Sequence, residues 1–84
     1  MEIETQITRY VKNEILGRDG ASLSESDTRL LSSGLLDSIG KMKLISFLER
    51  RFGIVIESNE AIAKNLETVS VIANFVRRKI TDGA

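Results

Sequence analysis

The 84 residues include no cysteine and no histidine. Without cysteine there is no disulfide, no zinc–thiolate site and no thiol nucleophile carried by the chain itself. Without histidine, the usual general base of catalytic triads and the commonest metal ligand are both missing, so no metal site is expected. Proline is also absent, which leaves glycine, capping side chains and loops to end the helices. Excess charge is lacking as well, since 12 lysines and arginines balance 12 acids. Nucleic-acid binders draw much of their affinity from surplus positive charge, so no nucleic-acid partner is expected. No apolar run reaches membrane-spanning length, and the start MEIETQITRY lacks the basic-then-apolar order of a signal peptide. A cytoplasmic protein without membrane insertion, held together by packing alone, is the expectation.

What is present is a normal globular balance, 42 % apolar and 29 % charged, which is enough to fold. The length fits one domain, residues 1–84, with little room for a deep catalytic cleft. There is no internal repeat, and with no oligomerisation signal a monomer is expected.

Ile3, Ile7, Tyr10, Val11 and Ile15 recur at three- and four-residue spacing and predict an amphipathic helix, with Gly17 placed to end it. From Arg18 to Asp37 the periodicity fails, and a long loop pinned by Leu23, Leu30, Leu31, Leu35 and Leu36 is expected. A Ser-x-x-Asp spacing at Ser24–Asp27 suggests a short turn within it. A second helix is predicted from Ser38 to Phe52, with Met42, Ile45, Leu48 and Phe52 as its inner stripe, Leu44 flanking and Gly53 closing it. Phe47, on its flank, is expected to join the core rather than a cargo pocket. Ile54-Val55-Ile56 reads as an extended connector that buries Ile54 and Ile56, and a short helix is expected around Asn59 to Lys64. Thr68 caps a last helix with inner face Val69, Ile72, Val76 and Ile80, Phe75 beside it, and Arg77, Arg78 and Lys79 in the final turn. The predicted class is all-α: a small bundle of three main helices and a short one, with a long loop between the first two.

With histidine and cysteine gone, the strongest chemical constellation is Gly34-Leu35-Leu36-Asp37-Ser38-Ile39. It sets an acid and a serine where a long helix begins. There the hydroxyl can cap the helix or be reached by a modifying enzyme. A phosphate ester on it would lie beside amide groups without intrahelical partners, at the positive end of the helix dipole. Taken alone, the dipeptide reads more readily as a plain helix cap, since capping residues are common.

The wider pattern adds Met42, Leu44, Ile45, Leu48, Glu49, Phe52-Gly53-Ile54 and Leu66-Glu67-Thr68-Val69. From about Ile3 to Ile80 it resembles the acyl carrier protein family. The resemblance implies that Ser38 carries 4′-phosphopantetheine, derived from coenzyme A and attached as a phosphodiester by a phosphopantetheinyl transferase, which makes the chain a phosphoprotein. Asp37 would match the motif acid that helps the transferase recognise the site. The arm's thiol would hold an acyl or aminoacyl group as a thioester, so the chain itself would catalyse nothing. Its partners would be an acyl- or amino-acid-activating ligase and downstream transferases, met through Ile39, Lys41, Met42 and Lys43.

One departure is notable. Fatty-acid carriers of this family have an acidic second helix, whereas residues 38–52 here hold Lys41, Lys43, Arg50 and Arg51 against Glu49 alone, four cations to one acid. Reversed charge implies different partners, because complementarity governs encounter and rejection. A specialised pathway is therefore expected rather than housekeeping fatty-acid synthesis, and the run Ser33-Gly34-Leu35-Leu36-Asp37-Ser38 resembles stand-alone aminoacyl, D-alanyl or peptidyl carriers more than fatty-acid ones. Gly40 stands where acids are frequent in the family and reads as a tolerated surface glycine or a point of close partner approach. The alternative to the carrier reading is a helical protein–protein interaction module without a prosthetic group. A helix-turn-helix DNA binder or an autonomous enzyme fits less well, for lack of net positive charge and of catalytic groups.

Overall fold

The computed structural model describes residues 2–16, 29–34 and 36–83. Among them every regular element is a helix, as the apolar periodicity predicts. The end assigned to Gly17, the suggested turn at Ser24–Asp27 and the anchors Leu23 and Leu35 lie outside the described residues.

Helix α1 spans Glu2–Tyr10 and continues directly into a π-helical stretch, Val11–Leu16. Ile7 and Val11 are fully buried, and Ile3 and Ile15 pack against them, so the predicted stripe is the buried one. Helix α2 spans Ser38–Phe52, the predicted bounds. Its inner line, however, is Gly40, Leu44 and Leu48. Ile45 and Phe52 pack from the sides, while Met42 is 67 % exposed and leaves the predicted stripe. The period-four line was hidden because its first member is a glycine, which has no side chain to mark a face.

Gly53 ends α2 in the left-handed region (φ 66°), where glycine carries no Cβ penalty, and donates its N–H to the Glu49 carbonyl at 3.0 Å. The connector then buries Ile54 and Ile56 and turns Val55 outward, as expected. The short helix expected at 59–64 is instead two pieces, a 3₁₀ turn at Ser58–Glu60 and a single-turn helix α3 at Ala63–Leu66. Glu60 causes the division. Its carboxylate accepts the Glu57 N–H at 2.9 Å and closes the first turn, and the Asn65 amide bonds back to its carbonyl at 2.9 Å.

Helix α4 spans Val69–Gly83. Thr68 caps it as predicted, its hydroxyl accepting the Val71 N–H at 3.1 Å. Val69, Ile72, Ala73, Phe75 and Val76 form the buried face. Phe75 therefore belongs to the core, and Ile80, 39 % exposed, does not. Arg77, Arg78 and Lys79 are not in the last turn, since the helix runs on to Gly83. Each has a local partner instead: Arg77 meets Asn74, Arg78 meets Asn65 and the Phe75 ring, and Lys79 lies 2.9 Å from a Glu60 oxygen. The packing joins α1 to α4, the π-helical stretch to α2, and α3 to α4.

Candidate functional site

The residues before α2 are fixed at both ends. Leu30 is fully buried and Leu36 nearly so, and the Leu36 N–H donates to the Leu30 carbonyl at 2.9 Å. Between them a turn closes through the Gly34 N–H to the Leu31 carbonyl. Glu67, at the α3–α4 junction, clasps this turn from the far side. Its carboxylate accepts the Ser32 N–H and hydroxyl, Arg29 lies 3.9 Å away, and its backbone carbonyl takes the Leu30 N–H. The leucine anchors were legible in the sequence. The glutamate clasp was not, because residues 35 apart give no local signal.

Asp37, in extended conformation, is the N-cap of α2. Its Oδ1 accepts the Gly40 N–H at 2.7 Å, and its carbonyl accepts the Lys41 N–H at 2.9 Å. The cap is therefore made by the acid and not by its neighbour. Ser38 occupies the first helical position and is exposed, and among the described residues no group holds its hydroxyl. The amides of Ser38 and Ile39 begin the helix, where no preceding turn offers them an acceptor, so an anion ester on Oγ would meet free donors and a favourable dipole. The geometry suits a serine that is to be esterified.

Beyond Ser38, α2 shows a mixed face. Ile39 is 64 % exposed and Met42 67 %, and Lys43 is exposed beside them, with Lys41 half-buried. Tyr10, Ile39, Met42, Lys43, Ser46 and Arg50 line an open hollow of about 320 Å³. The Tyr10 ring stacks on Phe47 at 4.1 Å and its hydroxyl donates to the Lys43 carbonyl, which braces α1 against α2. Phe47 packs against the core and meets Phe52 edge-on, the structural role expected of it. Glu49, the one acid of α2, is half-buried and turned to the connector, where its carboxylate accepts the Ile56 N–H at 2.8 Å. The exposed charged side chains of α2, Lys43, Arg50 and Arg51, are thus all cations. Among the described residues no group of three or more metal-ligating side chains comes together, and no helix is long and apolar enough to cross a membrane.

Gly40 is neither a surface glycine nor a partner contact. It is buried against Ile15 of the π-helical stretch.

The sequence profile of the phosphopantetheine attachment site matches residues 6–76. The chain belongs to the acyl carrier protein family. It is also 37 % identical to nodulation protein F of Rhizobium leguminosarum bv. viciae over an 84-residue alignment spanning 96 % of this chain and 90 % of that protein. As a carrier of this family it bears 4′-phosphopantetheine covalently, works with phosphopantetheinyl transferases and acyl-handling enzymes, and is not itself an enzyme.

Proposed function

We propose that Ser38 is the attachment residue and that Asp37 acts beside it as both helix cap and recognition acid. The observation that carries this reading is the division of labour at the start of α2. Asp37 satisfies the Gly40 amide, so the serine hydroxyl is left exposed and uncommitted among the described residues. In the transfer, Ser38 Oγ bonds to the β-phosphorus of coenzyme A. The bond from that phosphorus to its bridging oxygen breaks, adenosine 3′,5′-bisphosphate leaves, and the hydroxyl proton passes to a base of the transferase. Once attached, the arm supplies a thiol that holds an acyl or aminoacyl group as a thioester.

Partner enzymes would meet the face built by Ile39, Lys41, Met42 and Lys43. Two exposed apolar side chains beside the serine, ringed by cations, suit an enzyme surface with an apolar seat and acidic rim. Because Glu49 is turned to the connector, the exposed charged side chains of α2 are all cations. A carrier of this charge would dock poorly on a surface built for acidic helices, which supports a specialised pathway. A similar protein named for nodulation fits that reading. We further take residues 1–84 as a single carrier domain, monomeric and cytoplasmic, where coenzyme A is available. The interaction-module alternative gives the exposed serine no task.

The cargo class is tested by offering the pantetheinylated protein to a malonyl transferase and to a panel of amino-acid-activating ligases. Loading by a ligase, with little malonyl transfer, is expected. Rapid malonyl loading with no amino-acid loading would remove the specialised reading while leaving the carrier reading in place.

A further inference from the structure

The π-helical stretch Val11–Leu16 lies against the first turn of α2. Its wider i→i+5 turn rotates each residue less than an α-turn does, so Ile15 is kept in line with Ile7 and Val11 rather than drifting off the stripe. Ile15 thereby reaches the α2 backbone at Gly40. A Cβ at residue 40 would lie 3.1 Å from Ile15 Cγ2, 3.3 Å from Asp37 Oδ1 and 3.4 Å from Leu36 Cδ2. The first two are tighter than ordinary side-chain contact, and two of the three neighbours immediately precede Ser38.

We propose that Gly40 is a positioning residue for the modification of Ser38: its missing side chain lets Ile15 and the Asp37 carboxylate share one space, which holds the cap and presents the serine outward. The inference rests on Ser38 being the attachment residue. It concerns how a residue that never touches the serine governs its placement. Alanine is otherwise a better helix residue than glycine, so helix propensity alone would favour replacement. The close approach is what glycine permits here. In the Gly40→Ala variant either Ile15 withdraws or the Asp37 carboxylate shifts, and the second moves the group next to the reacting hydroxyl.

The test compares wild type, Gly40→Ala and the double variant Gly40→Ala/Ile15→Ala as unmodified proteins. Each is treated with coenzyme A and a broad-specificity phosphopantetheinyl transferase, with intact mass followed over time and native fold checked by circular dichroism. A displacement of a few tenths of an ångström at a reacting centre predicts a loss of about tenfold in kcat with KM little changed. Truncating Ile15 at Cβ removes Cγ2 and makes room, so the double variant recovers to within about threefold of wild type. Modification of Gly40→Ala at the wild-type rate would overturn the proposal. So would equal slowness of the single and double variants, or a loss confined to KM, which would mark a docking effect. A wild type that gains no mass with an active transferase would instead remove the Ser38 reading, and this proposal with it.

Discussion

At residue 37 one carboxylate oxygen, 2.7 Å from the Gly40 amide, decides what the next residue is free to do. An aspartate N-cap contributes about 1 kcal/mol relative to alanine, while asparagine caps nearly as well. Asp37→Ala should therefore lower stability by about 1 kcal/mol in urea unfolding, whereas Asp37→Asn should leave it nearly unchanged. Both variants should accept the arm slowly if the negative charge is what the transferase reads. Normal modification of Asp37→Asn would reduce Asp37 to a cap alone. The sequence placed the acid and the serine at the helix start correctly but could not say which of them capped. Both are good N-caps, and the choice depends on which lies one residue outside the first turn. Gly40 was misread for a related reason, because burial by Ile15, far back along the chain, leaves no mark on the local pattern.

At the scale of elements, short polar links hold the pieces around the site. Glu67 clasps the turn at 31–34 through side-chain and backbone atoms separately, so the two can be told apart. Glu67→Ala should speed hydrogen exchange at the Ser32 amide while the Leu30 amide, bonded to the residue 67 carbonyl at 2.6 Å, stays protected. Equal exchange at both sites in wild type and variant would mean that the carboxylate does not order the turn. Glu60 links the 3₁₀ turn to α4, and the Glu57 amide, then Lys79, hold its carboxyl below the ordinary glutamate range. Its folded pKa is depressed, so its contribution is present above the unfolded value and is lost as pH falls through the folded one. Glu60→Gln should thus be less stable than wild type at neutral pH, and the gap in urea midpoints should close as pH falls through and below the ordinary glutamate range. A gap that persists in acid would assign the effect to packing. Helix positions were legible from periodicity and caps, and α2 has the predicted bounds. The facing of Met42 and Ile80 was not. Apolar residues on a helix flank satisfy the same spacing, and only tertiary packing chooses between stripes.

Taken as a whole, the molecule places its apolar mass where α1, α2, α3 and α4 meet, with Leu44, Leu48, Leu66, Ile72 and Val76 all fully buried. A domain of this length is expected to be stable by only about 4–13 kcal/mol. Leu44→Ala should remove about 2–5 kcal/mol of that, enough to leave a marginal fold when followed by thermal unfolding. A change under about 1 kcal/mol would place Leu44 outside the core. Absence of histidine and cysteine was legible at once and carried the exclusion of self-contained catalysis, since the reactive thiol arrives on the prosthetic group. The basic α2 was also legible, but not that Glu49 is turned inward. That required the Ile56 amide, in an extended connector beyond the end of the helix, to be seen bonding to its carboxylate. The central claim is that Ser38 carries the arm. The direct measurement is the intact mass of wild type and Ser38→Ala after incubation with coenzyme A and an active phosphopantetheinyl transferase. The account predicts that wild type gains one phosphopantetheine and the variant none. Gain by both would move the attachment to another residue, and gain by neither would leave a helical interaction module in its place.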